Sequence, residues 1–173
     1  ADTVIGIEPS EDMRRKAEEQ TAARSNAKHV RYKAGYSHDT GLADACADIV
    51  TISQALHWME PAPTFAEVAR ILRDGGVFAA IDCDWPPTIN REAEQAEIEF
   101  RARTQKIGEA RGYYEGVVRW SKDEHLARIK ARGKFRYAKE IVVHHVEEGD
   151  AERLIGLAKS QGSVAELLKR GMT

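Results

Sequence analysis

Cysteine is nearly absent from this 173-residue sequence, which contains only Cys46 and Cys83. The two thiols are far apart and show no CxxC spacing, so nothing indicates a disulfide framework or a cysteine-bound metal. We therefore interpret both as buried free thiols of a reducing cytosol, and we expect no metal site.

The sequence also lacks a surplus of either charge. Its 26 Lys and Arg residues nearly balance its 28 Asp and Glu residues, which gives a formal net charge of -2. Such a balance argues against nucleic acid and anionic membranes as partners.

Long apolar runs are missing as well, and no basic segment followed by an apolar one marks the start of the sequence. The longest apolar stretches, Gly76 to Ile81 and Ile141 to Val143, are far too short to span a bilayer. We therefore expect a soluble cytoplasmic protein. Its length of 173 residues predicts a single domain with a substantial core.

A glycine-rich turn is the absence that matters most. Val4 to Ile7 is an apolar run that stops at Glu8 and then enters a helix. In doubly wound α/β sheets, an acid at the end of the second strand binds a nucleoside ribose, and a glycine-rich turn precedes it by about 20 residues. Because no such turn precedes Glu8, we expect the first βα unit to be absent from this sequence and the natural protein to be longer.

Strand and helix periods alternate over residues 1–84. Alternation and β-branched runs predict strands, whereas apolar residues at i, i+3, i+4 and i+7 predict helices, with Ser10 as the N-cap of the first helix. The resulting order, βαβ followed by βαβ, predicts a parallel sheet covered by helices. The predicted elements are strand 4–7, helix 11–24, strand 29–34, strand 47–53, helix 62–73, which Asp74-Gly75-Gly76 ends, and strand 77–83.

The pattern changes after Cys83. Asn90 is the expected cap of a long polar helix that reaches Arg111, and we interpret residues 85–120 as a helical lid or insert facing the substrate. Residues 121–173 are expected to add C-terminal helices and a strand. Further expectations are an apolar helix stripe of Ala93, Ala96, Phe100 and Ile107, helix starts at the S-x-x-E motifs of Ser121 and Ser163, and a strand from Phe135 to Val146.

Four segments in this order resemble a class I S-adenosylmethionine-dependent methyltransferase of the small-molecule type. They are VIGIEPSEDM, the G-x-x-x-D-x-G-L segment from Gly35 to Leu42, ADIVTISQALHWME, and ARILRDGG followed by VFAAIDCD. The resemblance covers residues 3 to 84 closely. It implies a Rossmann-like doubly wound sheet of seven strands, of which only the second to the sixth can be placed here.

The same resemblance implies that the sheet is incomplete in this chain. The strand that cannot be placed would lie between the strands at Val4 and Ile49. Without it, both neighbouring strands would keep an unpaired edge, so a stable free fragment is not expected.

S-adenosylmethionine is the cofactor that the resemblance implies. Glu8 matches the acid that binds both ribose hydroxyls, although a solvated charge at the helix N-terminus is the alternative reading. Met13 is either part of an adenine wall or plain core, and Tyr36 stands where the family often has an acid. The implied cofactor-binding residues are Glu8, Pro9, Met13, Ser37, His38, Gln54 and Ala55.

His57 is the one plausible general base after the fourth strand of the family. An imidazole has an unperturbed pKa near 6.5 and can take a proton at neutral pH, but a histidine beside a tryptophan also commonly anchors a loop. Both roles stay open, and we favour packing. The aromatic residues expected to line the acceptor site are Trp58, Trp85, Tyr113 and Tyr114, with Trp120 as a further candidate.

The function that follows is methyl transfer to a small-molecule acceptor. Assembly as a homodimer is left open. A nicotinamide-dependent oxidoreductase is one alternative, but the sequence contains no Tyr-x-x-x-Lys dyad. A noncatalytic interaction protein that kept the fold is the other.

Overall fold

Apolar and β-branched runs form four strands in the computed structural model, which describes residues 1–172. Six helices accompany them in this part of the chain. In chain order the elements are β1 (Val4–Ile7), α1 (Glu11–Ala22), β2 (Val30–Lys33), β3 (Ala47–Ser53), α2 (Pro61–Ile71), β4 (Leu72–Ile81), α3 (Arg91–Ala110), α4 (His125–Ala131), α5 (Ala151–Ser160) and α6 (Gly162–Lys169).

The chain divides into two units. Unit 1 contains residues 1–82 and 119–140, and therefore all four strands with α1, α2 and α4. Unit 2 contains residues 83–118 and the chain from Ile141 onward, with α3, α5 and α6.

The strands of unit 1 form two parallel pairs. β1 pairs with β2 from Val4 opposite Val30 to Ile7 opposite Lys33, and β3 pairs with β4. Within residues 1–172 each pair is a separate two-stranded sheet, so the second edges of β1 and β3 have no strand partner. The Rossmann-like sheet is therefore incomplete, as predicted, and the prediction of parallel pairing is confirmed.

A bulge interrupts the β3–β4 pair. Ala47 lies opposite Leu72 and Ile49 opposite Val77, so residues 73–76 face the single residue Asp48. The prediction that Asp74-Gly75-Gly76 ends a helix was wrong, because α2 ends at Ile71 and Leu72 already pairs with β3. Gly75 has a φ of +80°, a conformation that residues with a side chain rarely adopt.

The core of unit 1 lies between α2 and the β3–β4 pair. Phe65 on α2 is 1% exposed, and its ring lies 6.0 Å from that of Phe78 and 6.4 Å from that of Phe135. Aromatic rings at these distances contribute beyond their buried area. The other buried apolar side chains of the unit are Leu56, Val68 and Ile71.

The strand predicted from Phe135 to Val146 does not form. Residues 137–150 have no regular secondary structure, and Val142 is 88% exposed. A β-branched run becomes a strand only when another strand pairs with it, and none does so among residues 1–172. The expectation of buried thiols was also wrong, since Cys46 and Cys83 are both exposed.

Unit 2 is built on α3, which packs against α6. The Asn90 side chain accepts a hydrogen bond of 2.8 Å from the Ala93 amide, so the predicted cap is confirmed. The predicted stripe was wrong at Ala96 and Phe100, which are exposed, whereas Ala93 and Ile107 are half-buried. The side chains of the helix that are buried are Glu97 and Thr104, together with the position of Gly108.

Helices in the C-terminal part were predicted less well. α5 begins at Ala151, where the Asp150 side chain caps it, and the sequence analysis did not predict a helix start at this position. α6 begins at Gly162, one residue before Ser163, and Ser121 makes no capping bond to the short helical turn that follows it. No helix within residues 1–172 is long and apolar enough to cross a membrane.

Candidate functional site

The candidate site is formed by segments of unit 1 that follow its strands. Glu8 follows β1, Tyr36 to Thr40 follow β2, Gln54 follows β3 and Asp82 follows β4. Ligands of open α/β sheets bind at the carboxyl ends of the strands, so these segments are where a cofactor and its acceptor would be expected.

Glu8 is held with one carboxylate oxygen occupied and the other free. Its Oε1 accepts a hydrogen bond of 2.9 Å from the Ser10 amide at the start of α1, while within residues 1–172 its Oε2 has no partner. The Glu8 amide donates to the Lys33 carbonyl at 3.1 Å, which fixes the residue against β2. A carboxylate oriented in this way fits a ribose hydroxyl pair, because each oxygen has further lone pairs to offer.

Pro9 and Met13 lie next to Glu8 at the start of α1. The Pro9 carbonyl accepts a hydrogen bond of 2.8 Å from Arg14 Nη1, and the Met13 side chain is 55% exposed. The plain-core alternative for Met13 was therefore wrong. Its role as an adenine wall stays a prediction.

The turn after β2 is stabilised by its own backbone and by α2. Tyr36 and Asp39 exchange two backbone hydrogen bonds, of 2.9 and 3.1 Å, and the exposed rings of Tyr36 and His38 stack at 5.5 Å. The Ser37 hydroxyl lies 2.9 Å from that of Thr64 on α2. Ser37 is therefore anchored to the core, whereas His38 faces solvent.

A buried carboxylate that the sequence analysis missed holds the end of this turn. Glu67 on α2 accepts hydrogen bonds from the Thr40 amide at 2.9 Å and from Arg70 at 2.7 Å. Hydrogen bonds from Arg70, aided by those from Thr40, lower the pKa of Glu67 to about 2, although burial acts in the opposite direction. Arg70 also pairs with Asp44 farther along the loop.

Gln54 leaves β3 in a left-handed conformation with a φ of +52°. Its amide donates to the Ile81 carbonyl at 2.9 Å, and its side-chain oxygen accepts from Lys122 Nζ at 3.2 Å. Lys122 also forms an ion pair with Asp82 after β4. A non-glycine residue in this region is strained, and such strain is common where a backbone is shaped for function. Ala55 follows it directly.

His57 lies in a short helical turn, Leu56–Trp58. Its carbonyl accepts a hydrogen bond of 2.8 Å from the Trp120 amide, and its ring lies 5.1 Å from that of Trp58. The ring nitrogen Nδ1 is buried and has no partner in the described part of the chain. Burial, followed by the charge of Lys122, lowers the pKa of His57, which favours the neutral imidazole.

Residues 119–125, which we call the crossing segment, bring further groups to this place. The Arg119 guanidinium lies 4.1 Å over the Trp58 ring, and the His125 side chain is buried with Nε2 unpartnered within residues 1–172. The sequence analysis missed Asp82, Lys122 and His125 as site residues. The S-x-x-E motif at Ser121 was the one signal there, and it indicated only a helix start.

The remaining predicted acceptor residues lie in unit 2. The Arg170 guanidinium lies 4.2 Å over the Tyr113 ring, and Tyr114 packs so closely on Gly108 that a Cβ there would meet its ring at 2.2 Å. Trp85 precedes a cis bond to Pro86. Tyr113 and Tyr114 thus pack within their own unit, and their role with Trp58 in acceptor binding stays a prediction.

A cavity of about 400 Å³ lies elsewhere in unit 1, between the end of α1 and the start of β2. Thr21, Lys28 and Tyr32 are among its lining residues, and none of the predicted site residues is. No group of three potential metal ligands occurs among the residues that the structure describes.

Comparison with known proteins gives consistent matches. Residues 1–80 match the family model described as a methyltransferase domain. A probable S-adenosylmethionine-dependent methyltransferase of Saccharomyces cerevisiae is 35% identical over 77 residues, which are 44% of this chain and 26% of that protein. The chain thus spans about a quarter of this relative.

Solved structures share the fold. The YcgJ protein of Bacillus subtilis superposes with a TM-score of 0.60 at 18% identity, over 96% of this chain and 66% of that one. A geranyl diphosphate C-methyltransferase of Streptomyces coelicolor superposes with a TM-score of 0.52 at 16% identity, over 76% of this chain and 44% of that one. At these identities the likeness establishes the fold alone.

Proposed function

We propose that this chain, whose residues 1–80 match the methyltransferase-domain family model, is part of a class I S-adenosylmethionine-dependent enzyme that methylates a small molecule. S-adenosylmethionine is the cofactor of this family. When bound, it supplies an electrophilic methyl group, so the protein mainly has to place the acceptor and exclude water.

The geometry of Glu8 is the observation that carries the proposal. One carboxylate oxygen is fixed by the Ser10 amide, and the other has no partner within residues 1–172. In the proposed function, both oxygens receive ribose hydroxyls, and Ser10 keeps the carboxylate oriented before the cofactor arrives. Pro9 and Met13 contact adenine, with Ser37 and His38 at its edge.

The methionine part of the cofactor is assigned to Gln54 and Ala55. Gln54 is held by Lys122 at 3.2 Å and by the backbone of β4, so its position is fixed from two sides. Preorganised contacts of this kind lower the entropy lost on binding. Trp58, which is close to Ala55 in sequence, is exposed and could contact a small-molecule acceptor.

Calorimetry on the whole protein tests this proposal. Glu8→Ala should weaken the binding of S-adenosylmethionine by about 1.5 to 3 kcal/mol, the range for hydrogen bonds to a charged group. Glu8→Gln is the sharper variant, because an amide oxygen can still accept from Ser10 but the amide cannot accept at both positions. It should also weaken binding.

Glu11→Gln is the matched control, since Glu11 is an exposed acid in the first turn of α1. It removes the same charge from the helix N-terminus without touching the proposed ribose site. If all three variants change the dissociation constant equally, Glu8 is only a helix charge. An unchanged constant for Glu8→Ala in a folded protein would overturn the ribose assignment.

A further inference from the structure

The crossing segment carries a second imidazole, that of His125, which the charge of Asp82 after β4 influences. The Trp120 amide donates to the His57 carbonyl at 2.8 Å, and Lys122 contacts both Gln54 after β3 and Asp82 after β4. These contacts anchor the segment immediately before α4. His125 is the first residue of that helix.

His125 is the more buried of the two imidazoles. Its side chain is 9% exposed, and its Nε2 has no hydrogen-bond partner within residues 1–172. A buried polar atom without a partner is unfavourable, and native proteins keep few of them. An unpaired ring nitrogen at the end of the segment that contacts Gln54 and Asp82 therefore points to a ligand group that pairs with it.

The charges around His125 favour its neutral form. Burial has the largest effect and lowers the pKa of His125, and Lys122 adds to it, while Asp82 and Asp123 act in the opposite direction. Burial is also the main cause that lowers the pKa of His57. A neutral imidazole has one ring nitrogen with a free lone pair, which can accept a proton.

We propose that His125, through Nε2, accepts the proton of an acceptor molecule that carries an O–H or N–H group. The inference rests on the proposed function and deepens it, because it names the class of acceptor. An acceptor of this class gives up its O–H or N–H proton when it is methylated, so a base at the site assists the transfer.

His125 takes only a proton from the acceptor, so nothing is oxidised or reduced in this step. The O–H or N–H bond of the acceptor breaks, its electron pair stays on the oxygen or nitrogen, and the proton forms a new N–H bond at Nε2. The retained pair makes the acceptor atom nucleophilic toward the methyl group. The protonated His125 then returns its proton to water, which restores the neutral ring.

The tautomer of His125 is the first test. The whole protein is prepared with isotope-labelled histidine, with and without S-adenosylhomocysteine, and nitrogen NMR near neutral pH identifies which ring nitrogen carries hydrogen. We expect Nδ1 to carry it and Nε2 to be bare. A hydrogen on Nε2 in both states would overturn the proposal.

A pair of probes forms the second test. Phenol carries an O–H group, and anisole has the same ring with a methyl group in its place. We expect phenol to shift the His125 Nε2 signal in a saturable way and anisole to leave it unchanged. An equal response to both probes, or a response to neither, would contradict the inference.

A second histidine serves as the control in the probe experiment, and a variant identifies the His125 signals. The exposed ring of His145, which lies 3.1 Å from Glu147, should respond to neither probe. His125→Asn identifies the His125 signals, and triple-resonance assignment replaces that variant if it does not fold. Calorimetry with S-adenosylhomocysteine separates the two proposals: bound cofactor with the wrong tautomer refutes only the role of His125, whereas absent binding refutes the proposed function.

Discussion

His57 combines two features that favour different roles. Its backbone carbonyl and its ring both take part in packing, through Trp120 and Trp58, whereas its Nδ1 is buried without a partner within residues 1–172. An anchored backbone favours a role in holding the loop after β3. We therefore still favour packing over proton transfer for this residue.

A substitution of His57 distinguishes the roles. His57→Ala should lower the free energy of unfolding by about 1 kcal/mol or weaken cofactor binding, with a smaller effect on the chemical step. Thermal denaturation, calorimetry and turnover are measured together on the whole protein, with substitution of the exposed His144 by alanine as control. If stability and affinity are retained while turnover falls on the order of 100-fold, His57 is a general base.

At the scale of the elements, α2 stabilises the loop after β2 through Glu67. The Glu67 carboxylate accepts hydrogen bonds from the Thr40 amide and the Arg70 guanidinium. Arg70 also pairs with Asp44, which lies at the exposed end of this network. Two segments separated by 27 residues in sequence are thereby joined. This contact helps to hold the turn after β2, which is predicted to lie at the adenine edge.

Removal of the Glu67 charge should destabilise the protein. Glu67→Gln should lower the free energy of unfolding by about 1.5 to 3 kcal/mol, the range for hydrogen bonds to a charged group. Urea denaturation near neutral pH measures this. Asp44→Asn is the control, and because Asp44 is exposed it should cost less than about 1 kcal/mol. Equal losses in the two variants would argue against a special role for Glu67.

The same network predicts a pH dependence. The pKa of Glu67 is about 2 in the folded chain and 4.5 in its usual environment, so the unfolded chain binds the proton at higher pH. The stabilisation is therefore complete above about pH 4.5 and is lost as the pH falls toward 2. The difference in unfolding free energy between the original protein and Glu67→Gln should shrink over this interval. A constant difference would contradict the assignment.

At the scale of the whole molecule, the unpaired strand edges are the main feature. Apolar side chains of β1, β3 and β4 remain exposed, with Ile49 at 65%. Exposed edges of this kind are templates for pairing with other chains. The two units each have buried side chains of their own, and unit 1 carries all of the incomplete sheet.

The 173 residues produced alone should therefore self-associate and bind S-adenosylhomocysteine weakly, because they contain no G-x-G-x-G turn. Analytical ultracentrifugation and calorimetry measure the two properties. Ile49→Lys, which places a charge on the free edge strand, should reduce self-association. A monodisperse monomer that unfolds cooperatively would show that the open edges are tolerated.

Local patterns were enough for part of the fold and of the site. The β-branched run of β3, the Asn90 cap and the end of β1 just before Glu8 were predicted correctly, because each depends on residues close in sequence. The family resemblance then implied the cofactor, and the match of residues 1–80 to a methyltransferase-domain model agrees with it. The individual site residues remain predictions.

The sequence by itself determined the periodicity, the Ser10 cap of α1 and the order of strands and helices in residues 1–84, because backbone and side-chain preferences act over a few residues. Only the tertiary structure decided that residues 137–150 form no strand, that α3 buries Glu97 and Thr104, and that Lys122 reaches Gln54 across 68 positions. A strand needs a partner, and a helix buries whichever face meets its neighbour. Contacts between distant segments depend on how the intervening chain folds, and no local sequence pattern determines that.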